Sequence, residues 1–163
     1  MLTKYEELLD EADKQDMRIW ENYDFSNTRL KGLYCDRHIA LSNELKTDSE
    51  KRCTLAEEIG HHHTTFGNII DQRNVENRKQ EQLARTWAYN KLIGLMGIIN
   101  AYKAGCRNSS EMAEYLNITE EFLMDALERY RGKYGTYTTI DNYVIFFEPS
   151  LGVLEITIDK LNL

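Results

Sequence analysis

Leu55 to Thr65 reads Leu-Ala-Glu-Glu-Ile-Gly-His-His-His-Thr-Thr, a run whose carboxylates and imidazoles have the spacing of a metal-dependent hydrolase centre. On a helix advancing about 100° per residue, Glu58 lies about 100° and His61 about 40° from Glu57, so the three share one sector. A carboxylate oxygen and a neutral imidazole nitrogen one turn apart both suit a borderline ion such as zinc. The remaining carboxylate, Glu58, can then take a proton from a water acidified by the metal and return it to the leaving group after attack on a carbonyl. The residue types therefore nominate Glu57 and His61 as metal ligands and Glu58 as general base.

Two rival readings use the same residues. Glu-Glu-x-x-His is commoner by chance than the doubly histidine form of zinc proteases. In the plainer alternative, Glu57 and Glu58 are a solvated face, and His61, His62 and His63 are surface or capping groups where the helix dipole favours cations. The histidine run also allows a shifted register with Glu58 and His62 as the ligand pair. The apolar stripe argues against that shift. Leu55, Ile59 and Phe66 fall near about 160°, 200° and 180°, and His62, near about 140°, lies beside them. His62 is thus expected toward the packed side and His61 on the open face, with His62 or His63 free to hydrogen-bond to a ligand.

The elements that must position these groups are legible as periodicities. Leu2 to Ala12 has Tyr5, Leu8, Leu9 and Ala12 at helical spacing. From Met17 to Leu41 short apolar runs alternate with turn formers and predict a small antiparallel sheet. Asp48 or Ser49 is expected to cap the helix that carries the glutamates and histidines to about Thr65. Val75 to about Ala101 has long-helix character through Leu83, Trp87, Leu92, Leu95 and Met96, with Gly94 and Gly97 as points of close packing or a break. Ser109 to Leu116 and Glu120 to Tyr130 read as two helices across a tight turn. Tyr143 to Phe147 and Val153 to Ile158 are strand-like, and Tyr137, Tyr143, Phe146 and Phe147 are expected in a hairpin core, as are Trp20 and Trp87 in the core generally.

With 163 residues, 42% hydrophobic and 29% charged, the chain is expected to form a single α+β domain (residues 1–163) that needs no disulfide staples. The formal charge of -7 disfavours broad contact with nucleic acid or an anionic membrane. The first residues carry no apolar core of signal-peptide length and no later stretch reaches the roughly 20 apolar residues of a membrane span, which points to the cytosol. Cys35, Cys53 and Cys106 form no Cys-x-x-Cys pair and are expected as reduced, partly buried thiols.

The stretch Lys51-Arg52-Cys53-Thr54-Leu55-Ala56-Glu57-Glu58-Ile59-Gly60-His61-His62-His63-Thr64-Thr65 resembles the ImmA/IrrE family of metallopeptidases, especially small members carried by phages and integrative elements. The usual motif begins with histidine, where this chain has Glu57. The resemblance implies Glu57 as substituting first ligand, Glu58 as catalytic glutamate and His61 as second ligand. A downstream family feature is matched by Glu81-Gln82-Leu83-Ala84-Arg85-Thr86-Trp87-Ala88, which implies Glu81 as third ligand. Further on, Tyr89-Asn90-Lys91-Leu92-Ile93-Gly94 lacks the proline often found in the family. Similarity is clearest from about Gly32 to Gly94. It implies a zincin-like helical core and a cytoplasmic zinc protease that inactivates a helix-turn-helix repressor of a phage or mobile element.

Two other function classes compete. Residues 108–123 have the spacing of a helix-turn-helix DNA-binding module, yet the second helix offers Glu120, Glu121, Asp125 and Glu128 against Arg129 and Arg131, which repels phosphates. The third class is a non-catalytic anti-repressor that titrates a repressor by binding alone. Tyr34, Tyr89 or a backbone N–H is open as the group that stabilises a developing oxyanion.

Overall fold

The helix with the acidic and histidine-rich run starts where the sequence supplies a reciprocal cap. In a computed structural model, which describes residues 1–64 and 75–157, the Glu50 N–H donates to Thr47 Oγ1 at 3.2 Å and the Thr47 N–H donates to Glu50 Oε2 at 2.9 Å. Both orphan donors of the first turn are thereby satisfied. The cap is Thr47, one residue before the expected Asp48 or Ser49, because only Thr47 has a glutamate three positions on.

The fold is α+β, with six helices and six strands among the described residues. They are α1 (Lys4–Lys14), β1 (Arg18–Tyr23), β2 (Gly32–Cys35), β3 (His38–Ser42), α2 (Asp48–Thr64), α3 (Val75–Leu92), α4 (Gly94–Lys103), α5 (Ser109–Leu116), α6 (Glu120–Tyr134), β4 (Tyr137–Ile140), β5 (Tyr143–Phe146) and β6 (Gly152–Glu155). Expected as one domain, the chain groups into two compact units. The first is Met1–Leu92 with Asn117–Thr119, and the second is Ile93–Leu116 with Glu120–Leu163.

In the first unit, α1 opens on a Thr3–Glu6 capping box and buries Tyr5, Leu8 and Ala12. Its sheet has the order β1-β3-β2. A two-residue turn with both Asp36 and Arg37 in the left-handed region (φ 43° and 65°) joins β2 to β3 antiparallel, the conformation that matches strand twist in tight hairpins. The outer strand β1, however, runs parallel to β3. The small sheet expected as antiparallel is therefore mixed: the hairpin returns the chain in the direction of β1, and a period-2 pattern carries no information on strand order. Trp20 is exposed on β1 rather than buried, stacked on His38 with centroids 6.5 Å apart.

α2 and α3 meet along small residues. Ala56, Gly60, Ala84 and Ala88 are all buried, whereas Leu83, expected on the packed surface, is half exposed. A Cβ built on Gly60 would lie 2.3 Å from the Ala84 carbonyl oxygen, so the two backbones touch there. Large side chains cannot enter such a seam, and for that reason the pattern of large apolar residues misjudges which face of α3 packs. The expected long helix also breaks: Gly94 takes φ 60° and a new helix begins.

In the second unit, α5 is capped by Asn108, whose Oδ1 accepts from the Glu111 N–H at 2.9 Å, rather than by serine. α6 buries Phe122, Leu123, Ala126 and Tyr130 on one face, and Glu120, Glu121, Asp125 and Glu128 are exposed. β4, β5 and β6 form an antiparallel sheet. Tyr143 and Phe147 join the core as expected, while Tyr137, on the unforeseen strand β4, is exposed. Phe66 and the end of the last expected strand at Ile158 lie outside the described residues. Among the described residues no helix is long and apolar enough to cross a membrane.

Replacing Gly60 by alanine is expected to cost about 1–3 kcal/mol or more, since neither backbone can yield without moving a helix. Denaturant titration against the wild type checks this, and an unchanged midpoint would show that the helices can separate freely.

Candidate metal centre

α2 presents Glu57, Glu58 and His61 in the middle of the first unit, covered by α3 on one side and by β2 and β3 on another. His61 is 4% exposed and Glu58 8%, while Glu57 is half-buried. His61 is thus the more buried of the first two histidines, and His62 only half-buried. This reverses the expected order of burial: α3 covers the face that carries His61, so the chemical face is itself an interface.

Glu81 reaches the same place from α3. Its Oε2 lies 3.1 Å from His61 Nε2, and its Oε1 lies 3.4 Å from Arg85 Nε. Two atoms each about 2.0–2.1 Å from a tetrahedral ion stand about 3.4 Å apart. At 3.1 Å the His61–Glu81 separation is that of a hydrogen-bonded ion pair, a little shorter than a ligand pair, while the oxygen and nitrogen donors are of the types that suit zinc. Glu57 feels the charges of His61, Glu81 and Arg85. Among the described residues no three His, Cys, Asp or Glu side chains are closed around one point, so of the expected ligands His61 and Glu81 are in direct contact and Glu57 is their charged neighbour.

Glu58 lies under β2. A Cβ on Gly32 would come within 2.7 Å of Glu58 Oε1 and 2.8 Å of Thr54 Cγ2, so a side chain there would force Glu58 and Thr54 to move. The Tyr34 backbone N–H donates to the same carboxyl group. Farther along the helix end, the Tyr34 hydroxyl is 2.9 Å from His62 Nδ1. His62 meets His63 edge-on at 5.1 Å, and His63 stacks on Trp87 at 4.8 Å.

The electrostatics follow from crowding three carboxyls around one imidazole. Burial pushes Glu58 up to about 8, opposed by His61 and reinforced by Glu57 and Glu81. Burial also raises Glu57, with Arg85 the largest opposing charge. For His61 burial disfavours the cation, but the Glu81 hydrogen bond and the three carboxyls outweigh it and the net direction is upward. Glu81 is held below the usual carboxylate range chiefly by that same bond. The resting arrangement is a His61–Glu81 ion pair beside a carboxyl that burial keeps protonated.

Sequence reasoning missed Arg85, Gly32 and the Tyr34–His62 bond. Arg85 was detectable as the i+4 partner of Glu81 on a helix, and a glycine opening a strand is a known mark of close backbone approach. The Tyr34–His62 bond joins residues 28 apart and has no local signature.

In chelator-treated protein, Glu58 holds a proton in the folded state up to about pH 8 that the unfolded chain releases near 4.5. The folded state thus binds more protons across that window, and stability falls as pH rises through it, by about 1.4 kcal/mol per pH unit at most. Glu58→Gln, neutral throughout, should remove this slope and be the more stable protein at pH 8. Parallel denaturant titrations at pH 5.5 and 8 measure it, and equal slopes for both proteins contradict the assignment.

Comparison with known proteins leaves the site to be judged on its own residues: no family model, no curated protein and no solved structure matches the chain.

Proposed function

We propose that the chain is a zinc-dependent endopeptidase whose substrate is a helix-turn-helix repressor of a phage or mobile element, with Glu57, His61 and Glu81 holding the ion. The observation that carries this reading is the approach of His61 Nε2 to Glu81 Oε2 at 3.1 Å, beside the buried Glu58 on the same helix. The motif resemblance adds the class of substrate and the cytoplasmic setting. When bound, the zinc ion supplies acidification of a water and polarisation of a peptide carbonyl.

The chain's own residues account for the remaining steps. A bound zinc ion would favour the ionised form of Glu58, and a carboxylate oxygen of that residue then accepts the proton of the attacking water as the new carbon–oxygen bond forms. The same oxygen returns that proton to the peptide nitrogen as the carbon–nitrogen bond breaks, and the second proton of the water passes from the new carboxyl to the new amine, leaving a carboxylate and an ammonium group. Gly32 and the Tyr34 N–H fix the carboxyl under the strand, and the surrounding core limits water. Arg85 steadies Glu81 through its other oxygen.

One observation favours a second reading, a non-catalytic anti-repressor. Arg85 and His61 both engage Glu81, so the acidic cluster already has cationic partners from the chain. A DNA-binding role for residues 108–123 gains no such support, since α6 exposes Glu120, Glu121, Asp125 and Glu128, which repel phosphates.

Elemental analysis and zinc titration should find one zinc per chain in the wild type, with severe loss for alanine at Glu57, His61 or Glu81 and near-normal affinity for alanine at His62. Glu58→Gln should keep the zinc and lose about 10²–10⁴-fold in cleavage of the repressor encoded beside the gene. Absence of zinc uptake, with repressor captured intact by chelated protein, would select the binding reading instead.

A further inference from the structure

We infer that the second unit docks the free C-terminal end of a partner polypeptide as an extended strand. The strand pairs antiparallel along β6, places an apolar last side chain in the cavity beside β6, and sets its carboxylate on Arg107 and Arg131. The site lies wholly within the second unit, and the inference stands whether or not the first unit holds zinc.

The strand edge supplies the backbone partners. In the order β4-β5-β6, β6 has a neighbouring strand on one side only among the described residues. The Ile156 N–H donates to the Asn142 carbonyl at 2.7 Å, and residues that exchange such bonds alternate along an antiparallel ladder. Leu154 and Gly152 therefore turn their main-chain groups toward β5, while Val153 and Glu155 turn theirs outward. Those outward N–H and C=O groups have no hydrogen-bond partner among the described residues. Such an edge takes an incoming strand through its backbone, which sets direction and register, and leaves the choice of sequence to side-chain pockets.

The cavity makes that choice. α6 packs on β4, the opposite edge of the sheet, and a space of about 350 Å³ is open between α6 and the start of β6, within the range of ligand-binding clefts, roughly 300–1,000 Å³. Leu123, Met124 and Leu127 of α6 form one wall, and Leu151 and Val153 form the other. Side chains of a paired strand alternate between the faces of the sheet, so every second one from the incoming strand is directed into this space.

The charged groups fix which end of the partner arrives. Arg107 and Arg131 line the cavity against a single carboxylate, Glu128. Arg107 engages Glu111 through Nε and Nη2. Arg131 engages Glu128 through Nη2 and stands 3.8 Å from Glu148 through Nε. The Nη1 group of each arginine has no hydrogen bond to a described residue, and exposed pairs of this kind are worth at most about 1 kcal/mol, so both guanidiniums can take a further carboxylate. Antiparallel pairing, the more stable direction, carries the incoming chain toward Gly152, the end of β6 that borders the cavity. A terminal carboxylate thus meets the arginines, where parallel pairing would bring an ammonium group.

The test uses the full chain and random heptapeptide libraries anchored by their N-termini, with the last residue fixed in turn as Leu, Phe, Lys or Asp. The wild type should be retained by the Leu and Phe libraries and not by the other two, and C-terminal amidation of the Leu library should weaken retention about 10–100-fold. Val153→Pro removes an outward N–H without touching the ladder to β5, a change that an edge strand tolerates, and should abolish retention. Met124→Lys, at a half-exposed wall position, should do the same with an unchanged circular dichroism spectrum. In the wild type itself, amide hydrogen exchange at Val153 and Glu155 should slow about tenfold or more when soluble Leu-library peptides are added. No retention by any library, equal retention by the amidated one, or bound peptide with unchanged exchange at both amides overturns the inference. Exchange already slow in the free monomer would show the edge covered by the chain itself, and a dimer that Val153→Pro dissolves would assign it to a second copy; either result also overturns it.

Discussion

The contact between the α2 backbone at Gly60 and the Ala84 carbonyl of α3, where a Cβ would stand 2.3 Å from the oxygen, sets the separation on which the candidate centre depends. Glu57 and His61 flank Gly60 and its neighbour Ala56 on one helix; Glu81 and Arg85 flank Ala84 on the other. With the seam built of small residues, His61 Nε2 and Glu81 Oε2 meet at 3.1 Å. A seam of leucines would push the two helices apart, since interaxial distance follows the side chains at the contact. The chemistry thus depends on residues that have none of their own.

Burial is the second constraint, and it acts against the first. Bringing three carboxyls into one interior raises the free energy of every charge there, and the site answers with an ion pair, a guanidinium and a protonated Glu58. A divalent ion would relieve the same crowding more fully, because it meets several carboxyls at once. The described cluster is balanced by the chain's own cations, His61 and Arg85.

The sheet completes the centre from the other side. β2 passes close over Glu58 at Gly32, and Tyr34, two residues on, contributes a main-chain bond to the Glu58 carboxyl and a phenol to His62. This short strand is held by its hairpin partner β3 through a turn that places two non-glycine residues in the left-handed region. The turn at Asp36 and Arg37 thus also delivers the Arg37 N–H to the Tyr34 hydroxyl at 3.3 Å.

Sequence by itself determined the α+β class, the helix that carries the Glu-Glu-x-x-His run and its approximate ends, and the nomination of Glu57, Glu58, His61 and Glu81. These are local properties: periodicity, capping residues and ligand spacing all act within a turn or two, and the motif resemblance is read from the same short stretches. It did not determine the parallel pairing of β1 with β3, the small-residue face of α3, the burial of His61 above His62, or the two compact units. Each of those depends on which distant segment covers a given face, and hydrophobic periodicity reports only that a face is covered. Trp20 shows the limit most simply, since its size argues for the core, yet its strand lies at the sheet edge with the ring exposed. The Tyr34–His62 bond is decided the same way: neither residue is unusual in its own neighbourhood, and only the packing of β2 over α2 brings an orienting phenol to that imidazole.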